Sequence, residues 1–129
     1  MTVGLSAANL ANKWLDMLSG TAFTAPGTTY VKLHTGDPGA AGATAASANT
    51  TRVALTWSAA SAGSKAISNT PTWASWASGS ETISHISLWD ASTAGNFLLS
   101  IALTASQAVV NGNTFTLNSL TESLSPIAA

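Results

Sequence analysis

Two histidines and five acids make up the chain's stock of metal-binding and acid–base groups. His34 and Asp37 close one strand-like stretch, and His85 and Asp90 close another. Imidazole with carboxylate suits zinc or non-haem iron. No pair here stands at a recognised ligand spacing, so no metal site is expected. The plainer expectation is satisfied histidines, with Asp37 and Asp90 capping turns by accepting backbone N–H bonds. A serine hydrolase presents its nucleophile on a strand–turn elbow, and no Gly-x-Ser-x-Gly occurs. Glycoside cleavage needs two acids some 5–10 Å apart. Only Glu81 and Asp90 share a segment, and as the two ends of one strand they stand roughly 30 Å apart. No catalytic residue and no cofactor is expected.

The tryptophans are the remaining resource. An exposed Trp suits a sugar platform or a subunit hot spot, whereas a buried one fills a core. Trp57 and Trp89 sit in alternating strands and are assigned to the core. Trp73 and Trp76 flank Ala74-Ser75 in a looser segment, which leaves core and surface equally open. Trp14 lies on the apolar stripe of a helix. Trp14, Trp73 and Trp76 are therefore the candidate interface residues.

These side chains need a scaffold. Tyr30 to His34 alternates with period two, the mark of a half-buried strand, and Gly36-Asp37-Pro38-Gly39 stops it. Before it, Ala7 to Ser19 reads as one helix. Ser6 is a good N-cap, Leu5 and Leu10 stand at hydrophobic-staple spacing, and Gly20 ends the helix. Leu10, Trp14, Met17 and Leu18 form one stripe, which either caps the open end of a sheet or docks on a partner through Trp14. Ala40 to Thr51 has no periodicity and reads as a long loop. Asn49-Thr50-Thr51 fits a glycosylation pattern of little weight.

Short strands then recur. They are read at Arg52 to Trp57, Lys65 to Asn69, within Pro71 to Ala77, at Thr82 to Asp90 and at Phe97 to Thr104. Thr82 to Asp90 carries apolar groups on both faces and is expected to be central. Asn111-Gly112 predicts a type I′ hairpin joining Gln107–Val110 to Thr114–Leu120. Short strands between Gly, Asn and Pro turns predict an all-β fold. The expected form is an antiparallel β-sandwich, jelly-roll or immunoglobulin-like, with one short N-terminal α-helix. All 129 residues are read as one domain: helix 6–20, sandwich 29–121 and C-terminal tail 122–129, the tail being either a last edge strand or an arm.

Only 7% of residues are Asp, Glu, Lys or Arg, and the net charge is −1. Ordinary soluble domains carry about 25%. Charge depletion is a property of interface cores, and weak self-repulsion favours association. Lys13, Lys32, Arg52 and Lys65 are scattered, so no nucleic-acid partner is expected. The apolar runs are too short to span a bilayer, and the N-terminus lacks a signal-peptide pattern. A soluble protein with no membrane partner and no secretion signal of its own is expected.

Three stretches together resemble a family of small virion proteins of tailed bacteriophages, common in phages of actinobacteria, with head-decoration or tail-fibre labels. The first is Leu18-Ser19-Gly20-Thr21-Ala22-Phe23-Thr24-Ala25-Pro26 leading into Tyr30 to Gly39. The second is Glu81 to Ala91 running into Gly95-Asn96-Phe97-Leu98, and the third is Asn111-Gly112-Asn113-Thr114 before an alternating strand. Similar proteins carry a Glu and a Gly-rich segment before the Arg-containing strand. Here Ala43 to Thr51 has no acid, so a partner contact through that Glu is not expected.

The resemblance implies a non-catalytic virion component, assembled in the bacterial cytoplasm. The leading expectation is a capsid-decoration protein on the head shell, contacting the major capsid protein or other virion proteins. A homo-oligomer is expected, with a trimer as one form. A tail-tip or tail-fibre component and a carbohydrate-binding module are the alternatives.

Overall fold

The computed structural model describes residues 3–125. The fold is all-β, antiparallel and sandwich-like, with a short helical segment near the start. Pro126, read from sequence as part of a C-terminal tail, lies outside the described residues.

Among the described residues, nine strands form three sheets. They are β1 (Gly4–Leu5), β2 (Thr29–His34), β3 (Val53–Leu55), β4 (Ser64–Ala66), β5 (Thr72–Trp73), β6 (Glu81–Trp89), β7 (Phe97–Val109), β8 (Phe115–Thr116) and β9 (Thr121–Ser123). The main sheet runs β1-β7-β6-β2-β3, and β4–β9 and β5–β8 are two-stranded. β6 is central, as its doubly apolar pattern requires. β2 and β6 are the strands whose period was clearest in the sequence. β9 spans the boundary between the segments read as sandwich and tail, where a last edge strand was one of the two forms expected, and its pairing with β4 is long-range.

Register sorts the main sheet into two faces, because directly paired residues point the same way. Val31, Leu88 and Leu99 align across three strands, as do Leu33, Ile86 and Ile101. That apolar face packs in one cluster with Trp73, Trp76, Phe115, Leu117 and Leu120. Trp73 and Phe115 meet edge to face, with ring centroids 5.6 Å apart. The opposite face carries Lys32, Ser87 and Ser100, then His34 and His85. The loop read at Ala40 to Thr51 closes that face. Thr35 N–H donates to the Ala45 carbonyl at 2.9 Å, and Ser47 N–H to the Leu33 carbonyl at 3.1 Å. Gly42 lies flat against the Phe97 ring at φ +68°, where a Cβ would overlap the ring.

Two local expectations are corrected. The segment read as one helix is a π-helical turn over Ala7–Ala11, an α-helix, α1, over Asn12–Asp16 and a 3₁₀ turn over Met17–Ser19. The Ser6 carbonyl accepts from both Leu10 N–H (3.1 Å) and Ala11 N–H (3.0 Å), and this widens the first turn. Ser6 is the N-cap as read, its hydroxyl accepting from Asn9 N–H at 3.3 Å. The second correction concerns Asn111-Gly112. A turn forms there, with Asn113 N–H donating to the Val110 carbonyl at 3.0 Å. Gly112 has φ +88° but Asn111 is not left-handed, so the turn is not type I′. It joins no hairpin: β8 pairs with β5 instead, because Gly112 N–H and the Asn113 carbonyl both bond the Trp76 backbone.

Candidate functional site

The stripe Leu10, Trp14, Met17 and Leu18 has too little sheet to cover it. Only Leu10 is buried. Trp14 is 36% exposed, Leu15 64% and Leu18 88%, and Met17 also faces solvent. β1, just before the helix, is only two residues long and occupies β7 at Leu99 and Ser100. Ser6 N–H then donates to the Leu98 carbonyl at 2.6 Å, and Asn9 Nδ2 donates to the Phe97 carbonyl at 3.0 Å. These bonds fix where the helix starts. The rest of it projects past the sheet edge.

Between this helix and the β4–β9 pair lies a groove of about 620 Å³. Its floor is the apolar face of the main sheet, Leu88 and Leu99. One wall is Leu10 and Trp14, and the other carries Trp57 and Leu124. The Trp57 indole N–H donates to the Thr29 hydroxyl at 2.7 Å, which fixes the ring in the wall. Polar groups are few. Lys65 and Glu122, paired across β4 and β9, stand at the rim. Burial pushes the Glu122 carboxyl above the usual carboxylate range.

Seven large apolar side chains are exposed among the described residues. Four of them, Trp14, Leu15, Met17 and Leu18, belong to the helical segment. Leu5 and Leu124 line the groove. Only Val110 lies elsewhere. Six of these seven side chains thus lie on the helical segment or line the groove beside it. Exposed apolar patches mark interaction sites in soluble proteins.

Of the three interface candidates, Trp14 belongs to this patch and the other two do not. Trp73 is 3% exposed and Trp76 is 2% exposed. Trp73 donates its indole N–H to the Thr51 carbonyl at 2.9 Å, and Trp76 donates to the Gly79 carbonyl at 3.0 Å. The folded chain itself covers both rings. Trp14 is the one tryptophan whose indole N–H has no acceptor among the described residues. Sequence reasoning missed Leu15, Trp57, Lys65, Glu122 and Leu124. The available signal was the stripe itself, which is longer than a two-residue strand and one sheet edge can bury.

The histidines lie closer together than their sequence positions suggest, since His34 pairs directly with His85 across β2 and β6. His34 is fully buried, and both its ring nitrogens are engaged. Nδ1 lies 2.9 Å from the Thr44 carbonyl, which can only accept, so Nδ1 carries the proton. Nε2 must then accept from the Ser87 hydroxyl at 2.7 Å. The Ser87 oxygen in turn accepts from the Trp89 indole at 2.8 Å. Burial lowers the His34 pKa and keeps the ring neutral. His34 and Ser87 have the spacing of a base and a nucleophile, but the loop seals both from any substrate. Beside them, Arg52 lies 3.8 Å over the Trp89 ring and donates to the Ala91 and Ala94 carbonyls. Asp37 and Asp90 cap turns as read, through Gly39 N–H and Asn96 N–H.

Residues 5–125 match the family model described as Podophage GP4 fiber I protein gp80. The chain belongs to that family. No curated protein matches it. The match covers nearly all the described residues and bears out the resemblance to tailed-phage virion structural proteins carrying a tail-fibre label. The gp80-family chain is therefore a virion component, assembled in the host cell. A fibre family implies association with other virion proteins.

Proposed function

We propose that the protein is a non-catalytic building block of the phage tail fibre, held in place by burying its apolar helix and groove against neighbouring virion proteins. The observation that carries this reading is that six of the seven exposed large apolar side chains among the described residues lie on the helical segment or line the groove beside it. The fibre family supports a place at the tail. The head-decoration role expected from sequence draws no support from a fibre family, nor does a contact with the major capsid protein. A carbohydrate-binding role is disfavoured by the chemistry of the groove, because sugar hydroxyls need many partners and its lining offers few. A non-catalytic role fits the sealed His34–Ser87 pair.

Immunogold electron microscopy of purified virions, with antibodies against this chain, tests the reading. Label confined to the tail is expected. Label distributed over the head shell in hundreds of copies would overturn it in favour of decoration.

A further inference from the structure

The groove and the exposed helix are two halves of one contact. From the patch in this structure, we infer that the helical segment of a second copy of this chain, carrying Leu15, Met17 and Leu18, packs into the groove. This inference rests on the reading of the protein as an assembly unit, but not on where in the virion it sits.

Three observations choose a second copy as the occupant. First, the same chain supplies both an unfilled apolar groove and an uncovered apolar helix. Second, the two are continuous through Trp14, which stands in the groove wall and on the helix. A two-fold axis near Trp14 then sets each helix against the other copy's groove, the self-complementary arrangement that a symmetric pair requires. Third, one opposite-charge pair can form across the contact, with Glu122 beside Lys65 on the rim and Lys13 beside Asp16 on the helix. Exposed Asp16 lies on the helix and exposed Lys65 on the groove rim. Neither has an ion-pair partner among the described residues. Asp16 of one copy meeting Lys65 of the other would join opposite charges at the edge of an apolar contact, where such pairs set specificity. The groove volume of about 620 Å³ lies within the usual range for sites that enclose a compact apolar ligand, and aliphatic helix side chains fit that description.

Sedimentation velocity on the purified full chain tests the inference. The wild type is expected to self-associate. Leu15→Glu with Leu18→Glu removes the helix contact and should raise the dissociation constant by at least about tenfold. Both side chains are exposed, so the melting temperature should not move. Leu124→Glu blocks the groove and should have the same effect. Mixing the helix variant with the groove variant should restore a pair, because one retains a groove and the other a helix.

A wild type that stays monomeric up to high concentration would overturn the inference. So would an oligomer indifferent to the helix variant. Failure of the mixture to pair would also overturn it, because that result places helix against helix. None of these outcomes bears on tail or head location, which the labelling experiment decides separately.

Discussion

The two faces of the five-stranded sheet are completed in different ways. The face carrying His34 and Ser87 is closed by the chain's own loop, and every polar atom in its central network has a partner: Thr44 carbonyl, His34, Ser87 and Trp89 in series. The apolar face is closed at one end by Trp73, Trp76 and Phe115 and left open at the other as a groove beside the helix. A protein that folds alone has reason to close both. Buried polar groups that lack partners are costly, so the polar face has to be finished within the subunit. An open apolar face loses only its burial energy, and a partner can supply that later.

This contrast predicts an order of effects. The largest belongs to the closed end of the apolar face. Trp76→Ala should lower subunit stability by about 3–5 kcal/mol, measured by urea unfolding. A small change there would mean that the ring is not core. Next is the polar face. Ser87→Ala leaves His34 Nε2 and Trp89 Nε1 without partners and should cost ~2 kcal/mol. An unchanged unfolding midpoint would show that the series of bonds contributes nothing.

Acidity separates the faces by sign. Burial lowers the pKa of His34 below its ordinary value of 6.5. Its contribution is therefore full above that value and is lost as pH falls below it, when protonation turns Nε2 from acceptor to donor. Burial raises the pKa of Glu122 above its ordinary 4.5. Its contribution is present below that value and lost as pH rises through the folded-state pKa. Denaturation curves across this range should show the His34 slope disappear in His34→Gln, and Glu122→Gln should be more stable than wild type near neutrality. Leu18 is exposed on the helical segment, so Leu18→Glu, the smallest expected effect, should shift subunit stability by less than about 0.5 kcal/mol.

The sequence revealed what local pattern controls. β2 and β6 announce themselves by alternation, Ser6 and Gly20 by cap chemistry, and Asp37 and Asp90 by turn chemistry. What it concealed depends on distant partners. β5 is two residues long and pairs with β8 more than forty residues later, so no period marks Trp73 and Trp76 as interior. Asn111-Gly112 signals a turn, but the strand that follows is captured by β5 rather than by β7. The helix stripe was visible, though which of its residues end up covered is fixed by a two-residue strand and a loop. The groove draws on four separate stretches, within 4–29, 57–65, 88–101 and 122–124, and no local window contains it.

The proposed fibre role requires that the helix-and-groove corner place this chain in the particle. The direct measurement is a mass-spectrometric copy count on purified virions grown from phage encoding Leu15→Glu with Leu18→Glu. The altered chain is expected to accumulate folded in the lysate and to be missing from the particles. Particles carrying it at the wild-type copy number would contradict the account.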